Sequence, residues 1–343
     1  MVDKILMVIY TINGREVMYK PPFSITNNML SKCISIAEKL GKISIFNSLK
    51  RMPILRKNNR IKSIHSSLAI EANSLSLNQV RDVIMGKTVI GPKKEIQEVK
   101  NAYKVYEMIN DFDCYNEKDL LKAHETLTYL IENDSGQYRN HAEGVFDGKQ
   151  VIFVAPSEKF VPALMHDLFD WLKNDLETPM LIKSCVFHYE FVFIHPFSDG
   201  NGRTARLWQN VLLMKWNPIF EYIPLESRIQ KYQDEYYNAI SYCHKNGDSN
   251  KFIEFMLRLI DESIDEISNN FVQESKNISE QVNKLLEIMD YDIPLSANEI
   301  MRRLDIKSKE TLRANYLNPA IENGLVKMTI PDKPSSKNQK YFK

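Results

Sequence analysis

From Thr26 onward the chain is written almost throughout in the period of an α-helix, and that pattern limits the folds open to it. Apolar residues recur at three- and four-residue steps in 24–45, 60–85, 95–110, 119–131, 161–174, 179–193, 204–215, 229–244 and 249–269. In the first run Met29, Ile34, Ile36 and Leu40 are expected on one face, with Gly41 as the stop. Two extended pieces interrupt the pattern. Ile5–Tyr10 is strand-like and is followed by the turn signal Asn13-Gly14 and by Pro21-Pro22. Segment 144–156, GVFDGKQVIFVAP, reads as a hairpin turning at Asp147-Gly148. The expected fold class is mainly α.

Length and charge set the wider frame. A chain of 343 residues suggests two or three domains. Lys and Arg number 45 against 44 Asp and Glu, a net charge of +1, so no global field draws the chain to nucleic acid or to a membrane. The four cysteines are widely spaced without a C-x-x-C pair, which argues against a disulfide framework or a structural zinc site. No stretch approaches the ~18 apolar residues of a membrane span, and the N-terminal apolar run is too short for a signal segment. The expectation is a cytoplasmic protein without membrane contact.

The tail departs from this neutrality. Residues 293–343 hold ten Lys/Arg against five Asp/Glu, counted along the sequence. Ser296 with Glu299 forms a capping box ahead of Ile300, Met301 and Leu304. Ser308 is placed to cap a second helix bearing Leu312, Tyr316, Leu317 and Ile321, ended by Asn323-Gly324. Segments 325–330 and 339–342 then read as a hairpin. Helix-turn-helix plus hairpin is a winged-helix pattern, suited to DNA contact or to protein docking.

The chemistry concentrates in 195–206, HPFSDGNGRTAR. Two glycines one residue apart, ahead of a new helix, let successive N–H groups converge on one concavity where the helix N-terminus adds positive potential. Arg203 and Arg206 share one side of the first turn and offer bidentate forks to phosphate oxygens. Asp199 is a hard oxygen ligand for Mg2+, and a neutral His195 can take a proton from an attacking hydroxyl. The set describes phosphoryl or nucleotidyl transfer. His124, His141, His166 and His188 lack metal-ligand spacing, while Tyr103, Tyr106 and Trp208 read as packing residues.

This segment resembles the signature H-x-F-x-[DE]-G-N-G-R-x-x-R of the Fic (Fic/Doc, Fido-domain) family, matching at His195, Phe197, Asp199, Gly200, Asn201, Gly202, Arg203 and Arg206. The likeness extends over about 118–258, including Gly136–Arg139, the hairpin, Tyr236-Tyr237 and Asn246–Asp248. It implies a protein adenylyltransferase that moves AMP from ATP to a Ser, Thr or Tyr hydroxyl of a target protein or of itself. His195 would be the general base and Asp199 the magnesium ligand. Gly200, Asn201, Gly202, Arg203, Thr204, Ala205 and Arg206 would bind ATP, with Tyr236 and Tyr237 near the adenosine. Phe197 would fix the loop by packing. Relatives that transfer phosphate carry Lys at the second Gly, so Gly202 favours AMP transfer.

The same resemblance points upstream to SSLAIEAN at 66–73. The family's inhibitory helix reads [ST]-x-x-x-E-[GN], matched by Ser67 and Glu71, with Ala72 standing where Gly or Asn is usual and Asn73 one residue later. Glu71 is expected to compete with a phosphate for Arg206. In the hairpin, Lys149, Val151 and Phe153 alternate as a target-docking flap would. The implied organisation is 1–110 with the inhibitory helix at about 60–75, a Fic core at 111–262 and a winged helix at 277–343. Similar proteins often pair, so a homodimer is implied. The alternatives are AMP removal, with Glu71 orienting a water, another phosphoryl or nucleotidyl transfer on the same fold, or a DNA-binding regulator acting through the tail.

Overall fold

A computed structural model of the chain describes residues 11, 12, 15, 16, 19–45, 53–147, 150–277, 279–290, 293–323 and 325–343. The expected strand Ile5–Tyr10 and the turn residues Asn13, Gly14 and Gly148 lie outside them. The chain divides into two units, Met1–Leu40 with Asn59–Ile264, and Gly41–Asn58 with Asp265–Lys343.

In the first unit Thr11–Ile12 (β1) pairs antiparallel with Arg15–Glu16 (β2). Helix α1, Asn27–Ile45, buries Met29, Ile36 and Leu40. Ile34 is 68% exposed. It stands two residues from Ile36, about 200° around the helix, so the two cannot share a face. Gly41 does not end the helix: a single interior glycine costs about 1 kcal/mol, which a continuing helix tolerates.

The single helix expected over 60–85 is two, α2 at Pro53–Ile70 and α3 at Leu77–Ile84. The break is built by Ala72 in the left-handed region at φ 64° and by a capping box between Ser76 and Gln79. Helix α4, Lys93–Glu107, carries Asn101. Its amide donates to the carbonyls of Leu127 and Tyr129, closing the end of α5, Glu117–Thr128.

Strands β3, Gly144–Asp147, and β4, Gln150–Val154, form the expected hairpin. The register slips between Val145 and Phe146, which leaves Ile152 as the extra residue of a bulge. Helices α6 (Val161–Asn174), α7 (Met180–Ile194), α8 (Asn201–Trp216), α9 (Leu225–Lys231), α10 (Gln233–Asn246) and α11 (Asn250–Asn277) follow, the last running beyond the unit's boundary at Ile264. The run expected as one helix over 229–244 breaks at Tyr232, which leaves the helical region with ψ 37°.

Helix α7 is apolar on nearly every side and almost wholly buried, as a central helix should be. Its own Phe187 and Phe191, together with Phe197, Trp171, Trp208 and Phe252, are among the largest fully buried side chains. Pro196 stops it: a proline has no N–H for the ladder and disfavours a right-handed helical residue before it. His195 instead takes the left-handed conformation, φ 51° and ψ 59°, with its N–H on the Phe191 carbonyl.

The second unit has its own core. It contains α12 (Glu280–Glu287), β5 (Leu295–Ser296), α13 (Ala297–Leu304), α14 (Lys309–Leu312), α15 (Asn318–Glu322), β6 (Lys327–Met328) and β7 (Lys340–Phe342). Leu285, Ile300, Leu312, Leu317, Val326 and Tyr341 pack together at its centre. The capping box of Ser296 and Glu299 forms, and Ser308 caps α14. Between α14 and α15 the chain widens to a π-turn at Arg313–Leu317. Pro319 explains it: without an N–H it cannot bond the Asn315 carbonyl and its ring would clash there. The sheet order is β5-β7-β6, so β5 joins the expected hairpin as a third strand.

Candidate functional site

The site is assembled on the turn from α7 to α8. Gly200 sits at φ 81°, and a Cβ there would meet Thr128 Cγ2 at 3.1 Å, so backbone conformation and space both require glycine. The Asn201 side chain grips the turn from inside. Its Oδ1 accepts the Phe197 N–H at 2.9 Å and its Nδ2 donates to the Phe197 carbonyl at 2.7 Å. That amide is thus engaged with the loop itself. The amides of Asn201, Gly202 and Arg203 lie in the first turn of a sixteen-residue helix, where N–H groups have no partner on their own helix. Thr204 and Ala205 are fully buried beneath the turn, and the Thr204 N–H is used on the Gly200 carbonyl.

Two residues outside the motif brace this loop. His124 on α5 lies flat on Phe197, centroids 3.5 Å apart and planes within 4°. Its Nδ1 accepts the Gly136 N–H at 3.0 Å, which leaves Nε2–H to donate to the Asp199 carbonyl at 2.9 Å. Arg139 donates from Nε to the His195 carbonyl at 2.7 Å, and from its two terminal nitrogens to the carbonyls of His141, Pro156 and Ile194. One buried guanidinium therefore ties the His195 backbone to the foot of the hairpin. Sequence reasoning set His124 aside for want of metal-ligand spacing. The usable signal was its phase, in register with the buried Leu120, Ala123 and Leu127 of α5.

Burial holds the His195 imidazole below its ordinary pKa, against the Val192 carbonyl, Glu143 and Glu71, which favour the protonated form. It is neutral at pH 7. Asp199 is pushed up by burial but held, on balance, below the usual carboxylate range by Arg203, the Gly200 N–H and Lys94. Its Oδ1 accepts from Arg203 at 2.9 Å. Among the described residues no group of three His, Cys, Asp or Glu side chains could enclose a metal by itself.

Arg206 is fully buried and donates three hydrogen bonds to the end of α2 and the residue after it. Its Nε donates to Ser67 Oγ at 3.1 Å, and its Nη2 to the Ser67 carbonyl at 2.9 Å and to Glu71 Oε1 at 2.8 Å. The Glu71 carboxylate also stands against the turn: a Cβ on Gly202 would lie 2.3 Å from Oε1. A carboxylate thus sits at the helix N-terminus where an incoming anion would sit. Tyr236 is buried, its hydroxyl on His188 Nε2 at 2.9 Å, so it belongs to the core. Tyr237 is 44% exposed beside the Ile70 carbonyl. In the hairpin, Phe153 lies over the His244 ring at 4.0 Å and against Phe193 at 5.5 Å, so it anchors the hairpin instead of projecting from it. Lys149 and the Val151 side chain lie outside the described residues.

Fold and site together define a helical protein with an anion-receiving helix N-terminus, two buried arginines and a neutral histidine at one loop. The chain matches the family described as Fic/DOC over residues 114–213, and the one described as Filamentation induced by cAMP protein Fic-like, C-terminal domain, over 280–342. A crystal structure of a Fic family protein from Desulfovibrio desulfuricans G20 is 41% identical and superposes with a TM-score of 0.72, over 94% of this chain and 98% of that one. This chain belongs to the Fic family. Fic-1 of C. elegans shares the fold, at 23% identity and a TM-score of 0.59, over 72% of this chain and 73% of that one. Among curated relatives, protein adenylyltransferase fic-1 of Caenorhabditis elegans is 28% identical over 68% of this chain and 46% of its own length. Protein adenylyltransferase Fic of Nematostella vectensis is 30% identical over 59% of this chain and 47% of its own. The chain spans about half the length of the curated relatives it matches.

The buried histidines give this unit a pH dependence. Burial pushes His124 and His244 down to about 4 and His188 to about 3, from an ordinary value of 6.5. Between those limits the unfolded chain binds more protons than the folded one, so their stabilisation is complete above pH 6.5 and is lost as pH falls toward 4. Glu190, raised to about 7 by burial, works the other way from pH 7 to 4.5, but one carboxyl opposes three imidazoles. The urea midpoint is expected to be lower at pH 5.0 than at pH 7.5. Equal midpoints would show that these rings are not held neutral.

Proposed function

We propose that the protein is a magnesium-dependent protein adenylyltransferase, held in check by Glu71. The observation that carries this reading is the pair of contacts made by Glu71, on Arg206 and against Gly202. The loop already grips one anion at the place a nucleotide phosphate would take.

The chemistry follows from the geometry. A target hydroxyl beside His195 attacks the α-phosphorus of ATP. The new bond joins the target oxygen to phosphorus, the bond to the β-phosphate oxygen breaks, and pyrophosphate leaves. The neutral imidazole takes the hydroxyl proton, and its placement is secured through its own carbonyl by Arg139. The first-turn amides face the α-phosphate, while Arg203 and Arg206 take the β- and γ-phosphates. Asp199 suits a magnesium ion shared with phosphate oxygens, since such a site needs only one or two carboxylates, and the ion would neutralise the departing pyrophosphate. Asn201 acts by holding the loop, and Tyr237 is the tyrosine with an open ring for the adenosine. The hairpin, anchored through Phe153, offers its edge to an extended segment of the target. No described helix is long and apolar enough to cross a membrane, and the four free thiols suit a reducing, ATP-supplied cytoplasm.

Replacing His195 by Ala should lower AMP transfer from labelled ATP by about 10²–10⁴-fold while circular dichroism stays unchanged. Retained wild-type turnover would remove the general-base assignment. Glu71→Gly frees Arg206 and the helix N-terminus together. Incorporation of AMP into the chain itself or into lysate proteins, read by mass spectrometry, should rise at least about tenfold. Incorporation no greater than that of the parent chain would end the inhibitory reading.

The second unit supports an additional role as a winged helix that contacts DNA. The exposed face of the stretch from α14 into the π-turn carries Lys309, Arg313 and Asn315, and the turn between β6 and β7 carries exposed Lys333 and Lys337. Cations flanking a helix that presents Asn and Arg match the way such motifs meet phosphates and base edges. Full-length protein should retard duplex DNA in a gel at low salt, and a Lys333→Ala/Lys337→Ala chain should retard it less. Absence of any shift at 50 mM salt would leave the unit as a protein-docking module.

A further inference from the structure

The inhibitory segment does not stop at Glu71. Two residues on, beyond the left-handed Ala72, Asn73 is buried and its Nδ2 donates to Glu98 Oε2 at 2.8 Å and to the Glu95 carbonyl at 3.2 Å. The Leu75 N–H fixes the Asn73 amide from behind by donating to Oδ1 at 3.2 Å. The other oxygen of Glu98 accepts from Arg203 Nη1 at 3.3 Å, and Arg203 Nη2 donates to Asp199 at 2.9 Å. A continuous line of hydrogen bonds therefore runs from the end of the inhibitory helix through α4 to the first arginine of the motif.

The two carboxylates on Arg203 differ. The Arg203 side chain is only 4% exposed and Glu98 13%, whereas Asp199 is 40% exposed. Asp199 is the accessible one: its Oδ1 is shared between Arg203 and the Gly200 N–H, and a cation drawing on this carboxylate would weaken its hold on Arg203. Glu98 is enclosed and pinned by Asn73, so it is the partner that remains. The Nε–H of Arg203 has no hydrogen-bond partner among the described residues, which leaves one donor for an oxygen that reaches it. A guanidinium held by one fixed carboxylate keeps its plane, and that plane decides whether a phosphate meets it edge-on in two hydrogen bonds.

We propose that Glu98 is a positioning residue that holds Arg203 in the orientation receiving the second phosphate of the nucleotide, and that Asn73 sets Glu98. The end of the inhibitory helix thereby acts on both motif arginines, on Arg206 through Glu71 and on Arg203 through Asn73 and Glu98. This rests on the adenylyltransferase reading, in which Arg203 meets the β-phosphate.

Calorimetric titration of the full-length chain with ADP and with AMP, in magnesium and on a Glu71→Gly background, tests it. AMP has no second phosphate and serves as the internal control. Arg203→Ala and Glu98→Ala should each weaken ADP by about tenfold, the loss expected for a misplaced charge-assisted contact, and AMP by less than about twofold. Asn73→Ala should show the same selectivity at about threefold. Glu98→Gln keeps the shape of the side chain and guards against a folding defect; it should fall between parent and Glu98→Ala. If Arg203→Ala weakens ADP selectively but neither Glu98 variant does, the positioning role is wrong and the phosphate assignment survives. If Arg203→Ala treats ADP and AMP alike, the assignment of Arg203 to the second phosphate fails, and the proposal with it. Equal weakening of ADP and AMP by the Glu98 variants would mark Glu98 as structural only.

Discussion

Arg206 is a guanidinium with almost no contact with water, and that single fact organises the site. Such a group cannot shed its proton, so its burial must be offset by an anion and by acceptors for its N–H groups. Here burial works against the charged form and the Glu71 carboxylate restores it, with Ser67 taking the remaining hydrogen bonds. On the adenylyltransferase reading proposed above, a nucleotide complex has to keep this condition satisfied. A phosphate arriving at the same fork replaces one anion by another, and a desolvated cation is never left alone in the interior. The exchange can then be nearly balanced, which is what a reversible restraint requires.

The rest of α2 is fastened. Asn59 donates to the Tyr222 carbonyl, Ser63 to buried Glu226, and Ser66 meets Ser227. On the far side of the break, Ser74 bonds Glu95 through both its N–H and its hydroxyl. Between these two anchored stretches lies Ala72, a non-glycine residue in the left-handed region, a conformation that costs about 1–2 kcal/mol. The strain sits next to the carboxylate that pairs with Arg206. On the inhibitory reading proposed above, that backbone favours local release at 71–72 over displacement of the whole of α2.

Much of the fold was legible because helices announce themselves by period. The limits of α6 and the capping box of Ser296 and Glu299 could be read residue by residue, since both depend on neighbours in sequence. The break at 71–76 was missed because an apolar period continues across it, and only the Ser76–Gln79 box marks it. The exposed side of Ile34 was misread for the same reason: two apolar residues two apart look continuous in sequence and point nearly opposite ways on a helix. In the site, the motif placed the loop, the arginines and the glycines. The roles of Arg139, His124 and Glu98 escaped because the first two act on the loop, and the third on Arg203, across 56, 75 and 105 residues of chain. No local spacing encodes such contacts.

Arg139 and His124 share a physical task with Asn201. The loop from His195 to Gly200 is short and contains a left-handed histidine and a left-handed glycine, so local hydrogen bonding alone cannot hold it. Its carbonyls at His195, Pro196, Phe197 and Asp199 are taken by the Arg139 side chain, the Arg139 N–H, Asn201 and His124 respectively. With the carbonyls committed to the protein side, the amide groups at the head of α8 are the backbone dipoles left to face outward. The polarity of the cradle is thus set from behind, by residues that need never touch a nucleotide. On the reading proposed above, loss of Arg139 or His124 would release carbonyl dipoles toward the phosphates and weaken the site without altering a single motif residue.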